Sequence, residues 1–250
     1  MARKIVITSG KGGVGKSTVC FNLGIQLAKT DARVVMLDVD VGLNNLDVVA
    51  GINGKIEFDL VDVIEGRVRV EQALMQDDEM PNLYFLPTCH TYNTGRVSAE
   101  NLDLIVKQLS TKFDYILLDC PAGIDFGFHR AVFCASEAII LTTPHITAIK
   151  DADKVATLLC HYDMDSVSLV VNKLDNKLLS RHKMLEPDGI AKALKLPLVG
   201  VIPESLELSC QTSTCGRAYA QDNKLNNAFA KLAHNVFFGN IMLSQNKMLS

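Results

Sequence analysis

Three features that would place the chain in other protein classes are missing from its 250 residues. No apolar stretch approaches about 18 residues, the length that a membrane-spanning helix needs, and no secretory apolar segment follows Met1. A basic excess is also missing: 25 Lys and Arg stand against 28 Asp and Glu, a net charge of -3, which disfavours DNA as a partner. The seven cysteines are odd in number, which together with the missing secretory segment indicates a reducing cytoplasm.

The strongest motif is a glycine-rich stretch at residues 9–18, Ser-Gly-Lys-Gly-Gly-Val-Gly-Lys-Ser-Thr. It follows an apolar strand pattern, precedes an amphipathic helix pattern from Lys16, and fits G-x-x-x-x-G-K-[ST]. Glycines can adopt positive φ and turn backbone N–H groups onto phosphate oxygens at the positive end of the helix. We therefore expect ATP or ADP with Mg²⁺ here, with Lys16 on the β- and γ-phosphates and Ser17 on the metal. The four glycines of this stretch can each adopt positive φ. The residues of the expected cradle are Gly10, Lys11, Gly12, Gly13, Val14, Gly15, Lys16, Ser17 and Thr18.

Two further apolar strand patterns end in carboxylates, one at Asp38 and Asp40 and the other at Asp119. Because parallel strands present their carboxyl ends to the same crevice, these carboxylates can position Mg²⁺, its water and the attacking water. Asp119 has the Walker-B position and should hold the metal opposite Ser17. Gly123, in the turn after it, can bring an N–H toward the γ-phosphate and sense hydrolysis.

Lys11 lies inside the loop at a position where the bare motif requires nothing. The run Lys-Gly-Gly-Val-Gly-Lys-Ser resembles the deviant P-loop of the MinD/ParA family of ATPases, and similar segments follow in order to about residue 238. The resemblance implies that Lys11 reaches across an ATP-bound homodimer to the partner's phosphates. It also implies that Asp40 orients the attacking water and that Asp38 supports the metal from its outer shell.

The pattern at 168–173 is an apolar strand that ends in Asn-Lys. An amide side chain at the carboxyl end of a strand offers the paired donor and acceptor that adenine requires. By resemblance, Asn172 reads adenine. The run Val-Ile-Pro-Glu, which contains Pro203, is similar to the loop on the base side of the nucleotide in this family.

For the whole protein the resemblance implies an Mg²⁺-dependent ATPase, dimeric with ATP and monomeric with ADP, that positions the cell-division septum. The implied partners are a division inhibitor of the MinC type, a protein that stimulates the ATPase or sets its location, and an anionic surface on the cytoplasmic face of the membrane. Other functions stay open at this point. A flagellar-number regulator would share every nucleotide residue, and a ParA-type DNA partitioner would need a basic face. An iron–sulfur carrier and an ATP switch without meaningful turnover are further alternatives.

The sequence departs from the family pattern at His145, where MinD proteins commonly have Glu after Thr-x-Pro. An imidazole does not replace a fixed carboxylate, so we expect a different turnover rate or activator response. Asp151 matches a family aspartate that faces the signature lysine when the dimer is absent. Cys210 and Cys215 have four residues between them, whereas the iron–sulfur carriers of this class use two, so we expect thiols in a loop rather than a cluster site.

The last helix pattern covers 224–238 and leaves a short tail. We therefore expect an ATPase domain at 1–239 and a tail at 240–250 that targets membrane weakly. Burying its apolar side chains contributes about 1.5–3 kcal/mol each, and its one basic residue adds about 1 kcal/mol from anionic lipid. A single tail would bind weakly, and two tails in an ATP dimer could bind by avidity. The tail residues concerned are Ile241, Met242, Leu243, Lys247, Met248 and Leu249.

Together these patterns predict a single-domain α/β P-loop NTPase. Its sheet is expected to be mostly parallel and twisted, with about seven or eight strands, helices on both faces and the nucleotide at the carboxyl ends of the strands. Asp59 is expected to cap a helix at 60–64 that Gly66 ends. Residues 176–183 are expected to form a basic polar loop, and Cys120 is expected to pack in the core rather than react.

Overall fold

The computed structural model describes residues 2–40, 45–52, 54–88, 97–181, 183–213 and 216–247, and the side chains at 212–213 and 240–247 fall outside that description. Within these ranges the strands are β1 (Arg3–Thr8), β2 (Val34–Asp38), β3 (Met75–Gln76), β4 (Leu83–Leu86), β5 (Tyr115–Asp119), β6 (Glu137–Thr142), β7 (Ser166–Leu174) and β8 (Leu198–Pro203). The helices are α1 (Lys16–Ala28), α2 (Asn45–Ala50), α3 (Leu60–Ile64), α4 (Val70–Ala73), α5 (Ala99–Leu109), α6 (Phe126–Phe133), α7 (Ile146–Leu159), α8 (Asn176–Ser180), α9 (Pro187–Leu194), α10 (Leu206–Ser213) and α11 (Asn223–Lys247).

The described strands form one sheet in the order β3-β4-β2-β5-β1-β6-β7-β8. Every neighbouring pair is parallel except β3 with β4, which is antiparallel. This confirms the predicted fold class. The exception is a two-residue edge strand, too short for a strand pattern in the sequence. The order reverses direction at β1, so the loop after β1 opens at the crevice where α/β proteins bind ligands.

Helices cover both faces of this sheet. Along β2, Val35 and Leu37 pack toward one apolar layer with α5, α6, α7 and α9, while Val34 and Met36 pack toward the other layer with α1 and α11. Burial on both faces explains why the central strands are continuously apolar rather than alternating. The two layers hold the carboxyl ends of β1, β2 and β5 together at one edge.

Local signals in the sequence account for several boundaries. The Asp59 carboxylate accepts hydrogen bonds from the N–H groups of Val61 and Asp62 at the start of α3, and Asp62 bonds back to the Asp59 N–H. Gly66 has φ 71° directly after this helix, so the predicted cap and stop are both confirmed.

Four helices differ from expectation. Residues 176–183 do not form only a loop, because Asp175 caps α8 by accepting from the N–H groups of Lys177 and Leu178 at 2.7 and 3.2 Å. The segment after Gly123 forms α6, and the segment that carries Cys210 forms α10. Neither segment has a long helical repeat of apolar residues that would predict a helix. The last helix does not end at residue 238, since the α11 backbone continues to Lys247.

A buried asparagine ties α1 to the chain that leads into α11. Asn22 is fully buried, and its Nδ2 donates to the carbonyls of Thr18 and Ala218 at 2.9 and 2.8 Å. Its Oδ1 accepts from the Ala220 N–H at 2.9 Å. One side chain therefore satisfies the Ala218 carbonyl and the Ala220 N–H, which belong to no strand or helix.

Replacing Asn22 with Ala should lower the free energy of unfolding by about 2–6 kcal/mol, because a buried carbonyl and a buried N–H lose their partners at about 1–3 kcal/mol each. Urea unfolding without nucleotide measures the change. Asn227→Ala, on an exposed position of α11, is the matched control and should stay within about 0.5 kcal/mol of the parent. Equal stability of the two variants would contradict this role of Asn22.

Candidate functional site

The glycine-rich loop joins β1 to α1 at the crevice. Gly13 and Gly15 have φ 75° and 96°, whereas Gly10 and Gly12 do not have positive φ. Gly10 is required for a different reason, since a Cβ there would lie 2.4 Å from the carbonyl oxygen of Asp151 on α7. A Cβ at Gly12 would meet nothing closer than 3.7 Å. The loop thus uses Gly13 and Gly15 for backbone conformation and Gly10 for the close approach of α7.

Lys16 is held inside the loop. Its Nζ donates to Ser9 Oγ at 3.0 Å, and Ser9 Oγ donates to the Lys11 carbonyl at 2.8 Å. The Lys16 charge lowers the pKa of both Asp119 and Asp40, so the ammonium lies near the strand-end carboxylates. The side chain of Lys11, in contrast, is exposed to solvent.

Asp38 and Asp119 occupy paired positions on the neighbouring parallel strands β2 and β5. Burial raises the pKa of Asp119 to about 7, and the nearby Ser17 hydroxyl and Lys16 charge lower it. Burial, followed by the charge of Asp119, raises the pKa of Asp38 well above its usual range. Asp119 Oδ1 is buried without a hydrogen-bond partner among the described residues. The structure therefore brings Ser17 and both predicted metal-site carboxylates together.

Both carboxylate oxygens of Asp38 accept hydrogen bonds from backbone N–H groups, unlike Asp119 Oδ1. Oδ1 accepts from the Asp40 N–H at 2.8 Å, and Oδ2 accepts from the Leu46 N–H at 3.1 Å. Asp38 therefore shapes the backbone after β2 in addition to carrying charge. The residues between Asp40 and Asn45 lie outside the described part of the chain.

Asp40 is half-buried beside the loop. Burial raises its pKa, while the charges of Lys16 and of Arg130 on α6 lower it. The sequence does not single out Arg130, because α6 is short and the residue belongs to no motif. Asp47 on α2 is a second residue that the sequence analysis does not single out: it is buried, and burial raises its pKa to about 7.

The turn after β5 contains Gly123 and the buried Cys120. Gly123 has φ 90°, which permits the tight turn expected there. Cys120 is buried, and burial raises the pKa of its thiol to about 12. The thiol is therefore protonated and unreactive, as predicted.

A cavity of about 230 Å³ opens on the other side of the loop. Asn172 at the end of β7 and Pro203 at the end of β8 line it together with Gly13, Gly15 and Thr18. The Asn172 Nδ2 donates to the Val14 carbonyl at 2.8 Å. The predicted base-side residues therefore meet at one cavity, although the Asn172 amide nitrogen is bonded to the loop.

Lys173 supports the same loop. Its Nζ donates to the Gly13 carbonyl at 2.7 Å, and its φ of 56° is unusual for a residue with a side chain. Such backbone strain persists only where surrounding contacts hold it. The sequence marked Asn172 and not Lys173, since a lysine after a strand is usually solvated.

The remaining predicted positions lie around α7. Asp151 Oδ1 forms an ion pair with Lys154 at 3.1 Å, and the ion pairs found in the described ranges do not join it to Lys11. Its backbone touches Gly10 instead, as above. His145 precedes α7 as an exposed residue whose side chain does not cap the helix.

The described residues contain neither the predicted cysteine loop nor a separate group of metal-binding side chains. The expectation of a loop at Cys210 is wrong, because this residue lies on α10, while Cys215 falls outside the described residues. Over the described ranges, no three His, Cys, Asp or Glu side chains are grouped closely enough to hold a metal by themselves. No helix of these ranges has the length and apolar character needed to cross a bilayer.

Comparison with known proteins identifies the family to which the chain belongs. Residues 1–237 match the ParA family described as "NUBPL iron-transfer P-loop NTPase". The septum site-determining protein MinD of Synechocystis sp. is 41% identical over 225 residues, which cover 90% of this chain and 84% of that protein. The chain belongs to the MinD/ParA family of P-loop ATPases.

Solved MinD structures share the fold closely. The MinC:MinD cell division protein complex of Aquifex aeolicus aligns with a TM-score of 0.85 and 36% identity, covering 94% of this chain and 96% of that chain. MinD of Pyrococcus horikoshii, complexed with Mg-ADP, aligns with a TM-score of 0.84 and 31% identity over 94% and 96% of the two chains. The MinD/ParA membership thus extends across nearly the whole described fold.

Substituting Gly10 with Ala should destabilise the ligand-free protein by about 1–3 kcal/mol, because the new methyl group would overpack against the backbone of Asp151. Gly12→Ala is the matched control in the same loop and should change stability by about 0.5 kcal/mol or less. Chemical unfolding without nucleotide compares the two. A Gly12→Ala loss as large as that of Gly10→Ala would contradict the close approach of loop and α7.

Proposed function

We propose that this chain is an Mg²⁺-dependent ATP switch that dimerises with ATP, returns to a monomer with ADP, and positions the division septum by recruiting a division inhibitor to the membrane. The observation that carries the proposal is the buried pair Asp38 and Asp119 facing Ser17 and Lys16. Such a pair of carboxylates beside a phosphate cradle suits a metal–nucleotide complex.

The donor set fits Mg²⁺. Ser17 and Asp119 offer hard oxygen ligands, and Asp119 Oδ1 is buried without another partner in the described chain. Asp38, whose oxygens already accept N–H groups, would support the ion from its outer shell. Mg²⁺ is usually bound by one or two carboxylates plus substrate phosphates, so this small protein set is sufficient. When bound, the ion neutralises charge on the phosphates.

The chain's own residues then have separate roles in hydrolysis. The loop N–H groups from Gly10 to Thr18 bind phosphate oxygens, and Lys16 leaves Ser9 to meet the β- and γ-phosphates. Asp40 accepts a hydrogen bond from the attacking water and orients it. The Gly123 N–H approaches the γ-phosphate and reports its loss through the turn that leads to α6.

On the base side, Asn172 and Pro203 would hold adenine in the cavity beside Thr18. The Asn172 Oδ1 remains to accept from the adenine amino group while Nδ2 keeps or exchanges its bond to the Val14 carbonyl. Glycine at position 15 suits this approach, since a Cβ there would lie 2.6 Å from Asn172 Nδ2.

Dimerisation would complete the site. Lys11 is exposed and makes no ion pair with Asp151, so it is available to cross to a partner's phosphates. A cation delivered by the second subunit neutralises charge on the γ-phosphoryl oxygens only in the dimer, which makes turnover depend on assembly. An activating partner would act on this state, and His145 in place of the family's Glu would change its response.

The output proposed for the ATP state follows the family. The Aquifex aeolicus MinD was solved as a MinC:MinD complex, which supports an inhibitor of the MinC type as the partner. Residues 1–239 would form the ATPase domain and 240–250 the membrane-targeting tail. Two exposed aromatic residues immediately before the tail, Phe237 and Phe238, extend its apolar character on α11. The net charge of -3 favours this output over DNA binding.

Replacing Asp40 with Ala should lower the rate of ATP hydrolysis at least 100-fold while changing ATP affinity less than about fivefold, because an interaction needed only to orient water is lost. Phosphate release and isothermal titration with Mg-ATP measure the two quantities. Asp31→Ala, at an exposed turn after α1, is the control and should hydrolyse normally. Normal hydrolysis by Asp40→Ala would remove the proposed role of Asp40.

The tail is tested by cosedimentation with phosphatidylglycerol vesicles, comparing the full chain with one that ends at Gly239. Pelleting should require ATP and the tail, because two weak tails bind together in the dimer. Ile241→Glu should reduce pelleting, whereas Asn246→Gln should not. Equal pelleting of the full and shortened chains, or none in either nucleotide, would contradict membrane targeting by residues 240–250.

A further inference from the structure

Arg130 joins two backbone segments that are far apart in the sequence. From α6, its Nη2 donates to the Val39 carbonyl at 2.9 Å and its Nη1 donates to the Val97 carbonyl at 3.1 Å. Val39 lies between Asp38, the last residue of β2, and Asp40, and Val97 immediately precedes Ser98, the N-cap of α5. The forked guanidinium suits this task, since it presents several N–H groups in one fixed plane.

The bond to Val39 completes a set of contacts around one peptide unit. The carbonyl of the Val39–Asp40 peptide accepts from Arg130, and its N–H donates to Asp38 Oδ1 at 2.8 Å. The Val39 N–H, one peptide earlier, donates to the Asp119 carbonyl at 2.9 Å. The backbone that carries Asp40 is therefore fixed from the metal-site side by Asp38 and Asp119 and from the other side by Arg130.

The helix that supplies Arg130 is itself held against the turn after β5. A Cβ at Gly127 would lie 2.5 Å from Pro121 Cγ, so α6 and this turn are in close contact. Arg130 thus connects the Asp40 backbone to the helix that directly follows Gly123. This connection links the backbone at Asp40 to the turn at Gly123, the two segments that respond to the γ-phosphate in the proposed function.

The cost of placing Arg130 here argues for a role beyond packing. Its Nε is buried and has no hydrogen-bond partner among the described residues, and the ion pairs of those residues do not include it. A half-buried guanidinium without a bonded carboxylate is unfavourable unless its remaining contacts matter. A cavity of about 790 Å³ beside it is lined by Arg130, Asp40 and Phe126, so the arginine and the aspartate share one cavity.

We propose that Arg130 is a positioning residue for ATP hydrolysis, which acts by holding the Val39 carbonyl so that Asp40 faces the attacking water. The proposal rests on the role assigned to Asp40 in the proposed function. In this role Arg130 acts through Asp40 alone, without a contact of its own to the nucleotide. Its removal therefore lowers the rate of the chemical step and leaves ATP binding in place.

The test measures kcat, KM and Mg-ATP affinity for Arg130→Met and Arg130→Lys. Arg130→Met should lower kcat at least tenfold with KM and affinity within threefold of the parent. Arg130→Lys keeps the charge but replaces the two nitrogens that contact the two carbonyls with one. Its kcat should therefore fall between those of the parent and Arg130→Met. Arg181→Met, at an exposed arginine after α8, is the matched control and should retain the parent kcat.

A double variant separates positioning from a structural effect. In the Asp40→Ala background, Arg130→Met should cause no further loss of kcat, since the residue through which it acts is gone. A further tenfold loss there, an unchanged kcat in Arg130→Met alone, or a KM increase that accounts for the whole effect would overturn the proposal. If Arg130→Met does not fold, Arg130→Lys carries the same comparison.

The outcome also distinguishes this inference from the proposed function. Normal hydrolysis by Asp40→Ala would overturn the proposed role of Asp40 and the inference together. Impaired Asp40→Ala beside fully active Arg130 variants would overturn the inference alone and leave the ATP switch as proposed.

Discussion

The carboxylates of Asp38 and Asp119 are the constraint around which the rest of the site is arranged. They lie at paired positions on adjacent parallel strands, both buried, and burial raises the pKa of each. Two like charges in a water-poor crevice are unfavourable without a neighbouring cation. The crevice compensates in part through Lys16 and Ser17, which lower the pKa of Asp119. The remaining excess of negative charge makes this edge of the sheet a natural place for a divalent cation and the phosphates it accompanies.

The phosphate cradle and most of the fold could be predicted from sequence because their causes are local. Glycine spacing, a lysine and a hydroxyl identify the loop at 9–18, and continuous apolar runs identify β1, β2, β5 and β6 as buried parallel strands. The cap of α3 at Asp59 is a similar local signal. Each of these features depends on residues within a few positions of one another, which a single sequence displays directly.

The parts that could not be predicted depend on contacts between distant segments. Gly10 is needed because α7 approaches it at Asp151, not because its φ is positive. Arg130 and Lys173 support the loop and the Asp40 backbone from α6 and β7, and neither belongs to a motif. Helix α8 depends on one Asp175 cap within a polar run that favours a loop on composition alone. Contacts between distant segments, together with helix caps made by one side chain, thus account for most differences between the sequence-based predictions and the structure.

In the proposed cycle, this site drives an ATP-dependent change between monomer and dimer. The most direct measurement is the molar mass by light scattering in Mg²⁺ with a non-hydrolysable ATP analogue, compared with ADP, for the parent chain and Lys11→Ala. We expect a doubled mass only for the parent with the analogue, because the exposed Lys11 would stabilise the partner's phosphates in the proposed dimer. The same mass for the parent in both nucleotides, with binding of each verified by titration, would contradict it.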